Sequence, residues 1–199
     1  MFCWEIVVPL PQNFDIKAIN YQIIMSEIKF LKIRDVKSPV RGTAEAAGID
    51  FFIPFLDAEF VKDLILKNPN ADVLYKIEDD DLYITLLPNS RILIPSGVRT
   101  AFDKASALIA ANKSGVSTKK GLVFTAQVVD SDYDGELHIG VANISSEPVT
   151  IKTGDKLIQF IHTPVYLTPL VEVSADEVTT AHNDSARGDK GFGEGTGNK

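Results

Sequence analysis

The chain has 199 residues, a formal net charge of −7 and a hydrophobic fraction of 45%. That is enough apolar material for one full core, and too acidic for a nucleic-acid backbone as the main partner, which needs a basic face. The single cysteine, Cys3, excludes an intrachain disulfide framework and a cysteine-built zinc site, and no apolar run reaches the length of a membrane span.

In chain order, residues 1–24 differ in character from the rest of the chain. They are apolar but carry Glu5 and lack the basic n-region of a signal peptide. They are either a small N-terminal extension or a stretch upstream of a true start at Met25. From residue 28 onward strand-like runs recur at short spacing: 28–33, 49–53, 73–77, 82–87, 91–95, 107–111, 122–129, 137–144 and 156–161. Turn residues separate most of them, the cadence of an all-β sandwich or barrel. DAEFVKDLILKN (57–68) breaks the cadence. It sets Phe60, Val61, Leu64 and Ile65 on one face at helical spacing, with Asp57 as N-cap. DVLYKIEDDDLYITLL (72–87) then reads as a hairpin turning at Asp79–Asp81. Together, residues 55–87 form an insertion in one β domain that spans 25–173. Residues 174–199 are polar, and five of the chain's thirteen glycines fall in the last twelve positions, so a flexible arm is expected. Its lone aromatic, Phe192, beside Gly193 and near Arg187, suits closing over a base and its phosphates.

Four stretches carry candidate chemistry. DSDYDGE (130–136) has the opening of an EF-hand loop, but its twelfth position is Val141, which cannot ligate calcium. Its flanks alternate as strands, so it reads as a hairpin tip rich in Asp and Gly. NKSGVSTKKG (112–121) is a basic turn in an acidic chain, with Lys113, Ser114 and Gly115 as a usable phosphate cradle, although it is not a P-loop. GDKLIQF (154–160) places Gln159 on an otherwise apolar strand, where a buried amide needs partners. AGID (47–50) joins a flexible turn to Asp50 at a strand start. His138, His162 and His182 lack ligand-like spacing and are given no role.

The order of these stretches is informative. AEAAGIDF, NKSGVSTKKGL, VVDSDYDGE, GDKLIQF and a terminal RGDKGFGEGTG resemble the five ordered motifs of the trimeric dUTPase (deoxyuridine triphosphatase) family, over roughly residues 28–54 and 88–199. The resemblance implies a jelly-roll-like β-barrel forming a homotrimer with active sites shared between subunits. It implies hydrolysis of dUTP to dUMP and pyrophosphate, with Asp130 as the general base and Mg²⁺ bound through the substrate phosphates rather than directly by the protein. It also implies that Tyr133 packs under the deoxyribose and excludes a 2′-hydroxyl. By the same resemblance Lys113, Ser114, Gly115 and Gln159 hold phosphates, Arg187 and Thr196 reach the γ-phosphate, and Phe192 with Gly193 closes over uracil. Asp50 is expected as a structural partner inside the trimer, and Asp132 and Asp134 as turn residues.

Several positions depart from the family pattern. Lys113 replaces the usual Arg, which keeps the charge and loses the bidentate fork. Gln127 replaces a common Gly, and the last motif has one extra residue before Thr196. Two other readings stand beside the hydrolase. One is a dCTP deaminase-type relative, for which no Arg-Ser-Ser loop is present. The other is a regulatory dUTPase-like protein, as in some phages, that contacts a protein partner through residues 55–87. The expected location is the cytoplasm, or the host cytoplasm for a phage-encoded chain.

Overall fold

The computed structural model of the protein describes residues 27–78 and 81–182. The extension expected at 1–24, positions 79–80 of the hairpin turn, and Arg187, Phe192, Gly193 and Thr196 lie outside the described residues. The chain divides into two units, Met1–Val165 and Tyr166–Lys199.

The first unit contains, in chain order, β1 (Lys29–Lys32), β2 (Val40–Arg41), β3 (Gly48–Asp50), α1 (Ala58–Lys67), β4 (Val73–Glu78), β5 (Asp81–Leu86), β6 (Arg91–Pro95), β7 (Val98–Ala101) and β8 (Ser106–Asn112). It continues with α2 (Ser114–Lys120), β9 (Leu122–Phe124), β10 (Val128–Asp130), β11 (His138–Asn143), β12 (Val149–Lys152) and β13 (Ile158–Pro164). The second unit contributes α3 (Ala175–His182), with Asp176 and Glu177 in its first turn. The described strands form four antiparallel sheets, ordered β10-β8-β13-β3-β2, β6-β11-β9, β12-β5-β4 and β1-β7. No described helix is long and apolar enough to cross a membrane.

One core joins the sheets. Ile84, Ile94, Leu108, Ile139, Val141 and Ile151 come from five different strands and are all fully buried. Each contributes roughly 1.5–3 kcal/mol relative to an exposed side chain. The rings of Phe51 and Phe160 meet edge to face with centroids 4.9 Å apart.

Helix α1 forms where its periodicity predicts. The Asp57 carboxylate accepts the Phe60 N–H at 2.7 Å, satisfying one orphan donor of the first turn. Phe60, Val61 and Leu64 are buried, but Ile65 is 47% exposed. A step of about 100° round the helix from Leu64 takes it to the rim of the apolar stripe. The 72–87 stretch is a hairpin, with Glu78 facing Asp81 across β4 and β5. Its role differs from that of an excursion. Strand β5 lies between β4 and β12, and its Ile84 and Leu86 are fully buried.

The run 122–129, expected as a single strand, is two. Strand β9 pairs with β11, whereas β10 pairs with β8. Thr125 N–H still bonds Gly140 O at 3.0 Å, but two residues on Gln127 O accepts from Ala110 N–H at 2.7 Å. The chain has changed sheets at a corner. Gly140 permits the close approach there, since a Cβ would stand 2.6 Å from Thr125 Oγ1. DSDYDGE is therefore not the tip of a tight hairpin. It connects strands of two different sheets, because β10 and β11 part company before they reach it.

Candidate active site

Two clusters lie at opposite ends of β8. At its C-terminal end NKSGVSTKKG, expected as a turn, is helical from Ser114 to Lys120. Gly121 closes it with φ 66°, the left-handed conformation glycine adopts freely, and its N–H donates to Ser117 O at 3.2 Å. Lys113 stands at the N-cap, while Ser114 and Gly115 form an exposed first turn. The Lys113 ammonium donates to Asp50 Oδ1, and Lys156 Nζ lies 2.9 Å from Asp50 Oδ2. Asp50 is buried, with 4% of its surface exposed. Burial pushes its carboxyl up, but hydrogen bonds and charge from both lysines outweigh that and hold it below the ordinary aspartate range. Across the β3–β13 register Asp50 faces Gln159. The amide of Gln159 donates to Asn112 O at 3.0 Å, which supplies the partner its position demands. The side chain lies directly over Gly48, where a Cβ would be 1.9 Å from its Oε1. A cationic, amide-bearing corner results, built from β3, β8, β13 and the first turn of α2.

The second cluster occupies the gap left where β10 and β11 diverge. A cavity of about 230 Å³ opens there, lined by Leu93, Ala126, Val128, Asp130, Tyr133 and Phe160, among others. Asp130 ends β10 and is exposed, and among the described residues no ion pair or hydrogen bond engages its carboxylate. Its carbonyl accepts the Tyr133 N–H at 3.2 Å, which folds the turn. Tyr133 Oη donates to Glu136 O at 3.0 Å. The ring lies so close over the following backbone that a Cβ at Gly135 would stand 2.4 Å from the hydroxyl. Asp132 and Asp134 are exposed turn residues.

Sequence reasoning missed the residues beneath this turn. The Glu136 carboxylate accepts from Arg34 Nε at 2.8 Å, Arg34 Nη2 at 3.0 Å and Gly97 N–H at 2.7 Å. Burial pushes its carboxyl up, but the Arg34 and Gly97 hydrogen bonds outweigh that, and its pKa is depressed. His138, given no role from the sequence, also lines the cavity. Burial lowers its pKa, against the opposing pull of Glu136. Arg34 is 102 residues from Glu136, so no local signal could have paired them.

These three depressed values make one prediction. A group whose folded pKa is lowered stabilises the fold above its unfolded pKa, and that contribution is lost as pH falls through the folded value. Melting temperature should hold near neutrality and begin to fall below about pH 6, as His138 charges first in the unfolded chain. It should fall further below about pH 4, as Glu136 and Asp50 protonate. Thermal melts across this range check it; a constant Tm from about pH 7 to about pH 3 contradicts it.

Within one chain the two clusters do not meet. Asp130 pairs with Ala107 and Ile158 with Asn112. Five residues of strand separate these positions, about 17 Å at roughly 3.3 Å per residue.

A family model described as dUTPase matches residues 62–196, more than half of the chain. The chain belongs to the dUTPase family. The match begins inside α1, so it includes most of the stretch that the motif resemblance passed over. The deoxyuridine 5'-triphosphate nucleotidohydrolase of Mycolicibacterium gilvum is 36% identical over 128 residues, 62% of this chain and 79% of the relative. That of Finegoldia magna is 38% identical over 112 residues, 55% of this chain and 77% of the relative. A dUTPase of Staphylococcus bacteriophage 80alpha, solved with dUpNHpp, superposes with a TM-score of 0.61 at 19% identity, covering 84% of this chain and 97% of the other. The dUTPase of Streptococcus mutans gives 0.51 at 22% identity, covering 71% and 98%. At these identities the two structures show the fold, the all-β jelly-roll barrel of dUTPases.

Proposed function

We propose that the protein hydrolyses dUTP to dUMP and pyrophosphate in sites shared between the subunits of a homotrimer. Family membership carries the reaction class. The observation that carries the arrangement is the separation of about 17 Å along β8 between the Asp130–Tyr133 turn and the Lys113–Gln159 corner. A triphosphate reaching from one to the other within a chain would have to run the length of β8 between these positions. A neighbouring chain that brings its own corner to this turn removes the difficulty.

In this reading the apolar cavity between β10 and β11 takes uracil, with backbone groups of the diverging strands reading its edge. Tyr133, held down on the 135–136 backbone, presents its ring to the deoxyribose and leaves no room for a 2′-hydroxyl. Asp130 accepts a proton from the water that attacks the α-phosphorus in line. Its freedom from lysine and arginine among the described residues keeps it able to do so. Lys113 and the first turn of α2 hold phosphate oxygens, and Asp50 keeps that lysine in place. Gln159 is braced by Asn112 for the same task. Arg187, Phe192, Gly193 and Thr196 of the terminal arm close over the nucleotide.

No group of three acidic, histidine or cysteine side chains among the described residues is arranged to hold a metal. Mg²⁺ comes in on the triphosphate oxygens, and the exposed Asp132 and Asp134 meet it through water, which leaves Asp130 free as the base. When bound there, Mg²⁺ neutralises phosphate charge and fixes its conformation.

The test is a nucleotide panel with Mg²⁺. Pyrophosphate and dUMP are expected from dUTP, with little turnover of UTP or dCTP. Ammonia released from dCTP would instead identify a deaminase, and no turnover of dUTP would overturn the reading.

A further inference from the structure

We infer that Arg34, acting through Glu136, is a positioning residue that sets the sugar selectivity of this site. The inference rests on the reading of Tyr133 as the ring under the deoxyribose.

The turn that carries Tyr133 is tied at its two ends, where Ser131 Oγ donates to Lys104 O at 2.9 Å and Arg99 Nε to Asp134 O at 2.5 Å, and neither bond reaches the Tyr133 side chain. Asp132, Tyr133 and Asp134 are exposed, and strands β10 and β11 do not bond to each other on either side of it. Tyr133 gains its orientation from the Glu136 carbonyl, 3.0 Å from its hydroxyl. The position of that carbonyl depends in turn on the Glu136 carboxylate. Its side chain is only 12% exposed, and both oxygens are taken by the planar fork of Arg34. The Gly97 N–H adds a third bond at 2.7 Å. Arg34 itself is fixed from the other side: its guanidinium sits over the Phe60 ring, 5.3 Å from the centroid, and reaches Asp63 at 3.4 Å. The order of dependence runs from Arg34 to Glu136 to the backbone under Tyr133, with the Phe60 ring supporting the guanidinium and the long Asp63 contact adding little.

Sterically excluding one hydroxyl is sensitive to sub-ångström placement, so a loosened turn should admit the ribose before it disables the chemistry. A misplacement of about 1 Å can cost up to about 100-fold in rate at a positioned site. Arg34→Met removes the fork and leaves Glu136 with Gly97 alone. Arg34→Lys keeps the charge but not the two parallel bonds. Asp63→Asn breaks the neighbouring ion pair and leaves the Glu136 fork intact.

Steady-state kinetics on dUTP and UTP, with wild type alongside, decides the matter. Arg34→Met should lower the ratio of kcat/KM for dUTP over UTP by about tenfold, mostly through a raised kcat/KM for UTP, with kcat for dUTP within about threefold. Arg34→Lys should recover part of the ratio, and Asp63→Asn should leave it unchanged. If Arg34→Met fails to fold, the Arg34→Lys ratio carries the test, with a fall of about threefold expected. An unchanged ratio in the folded Arg34 variants overturns the inference alone, as does an equal fall in Asp63→Asn. A wild type inactive on dUTP overturns the proposed function and this inference with it.

Discussion

Asp130→Asn should lower kcat for dUTP by about 10²–10⁴-fold while leaving KM within about threefold. Asparagine keeps the size and polarity of the side chain, and it can still hydrogen-bond a water. It cannot take the proton that must leave as the water attacks. The structure gives the substitution little else to disturb. Asp130 is exposed at the end of β10, and its carbonyl, not its carboxylate, bonds the Tyr133 N–H. Melting temperature should therefore stay within a few degrees of wild type, separating a chemical defect from an unfolded enzyme. Pyrophosphate release under saturating dUTP and Mg²⁺ is the measurement. Full turnover by Asp130→Asn would assign the base elsewhere.

Deleting residues 56–86 should abolish folding altogether. The segment looks dispensable as an insertion, but it supplies Phe60, Leu64, Ile84 and Leu86, all buried in the common core. It also supplies β5, the only described partner of β12 in its sheet. Truncating even one such side chain, as in Leu64→Ala, costs about 2–5 kcal/mol. A whole domain is held by about 5–15 kcal/mol, so losing all four together exceeds what is available. Circular dichroism of the deletion should show no cooperative melt, and Leu64→Ala should shift the urea midpoint downward at unchanged slope. A soluble deletion variant that still hydrolyses dUTP would show the core to be complete without the segment. Deletion therefore cannot separate a partner-binding role from folding. Substitutions at exposed positions of the same segment, such as Leu66 and Ile77, leave the core in place and can.

Much of the molecule is legible in the sequence because it is written locally. The period of α1 and its Asp57 cap lie within twelve residues, and β6 matches its apolar run from 91 to 95. The five ordered motifs identify the family because each is a short contiguous string. The features that escape are non-local. The run 122–129 is uniform in strand propensity, and only the competing partners β8 and β11 divide it between two sheets. NKSGVSTKKG reads as a turn for its Gly and Ser; Gly121 in the left-handed region and contact with β9 make it a helix. The insertion reads as an excursion because its helix breaks the β cadence, and burial of α1 and β5 is visible only once the sheets close.

The same division runs through the site. By itself the sequence singled out the residues proposed to carry chemistry: Asp130 and Tyr133 on one loop, Lys113, Ser114 and Gln159 on others. Those choices depend on side-chain type at fixed spacing, which a linear string records. The tertiary structure alone decided what holds them. It paired Lys113 with Asp50 and Arg34 with Glu136, and it opened a cavity where two strands part. It also set the two clusters of the proposed site at opposite ends of β8. A salt bridge spanning 102 residues follows from how sheets close around a core, and the spacing of charges along a chain does not encode that.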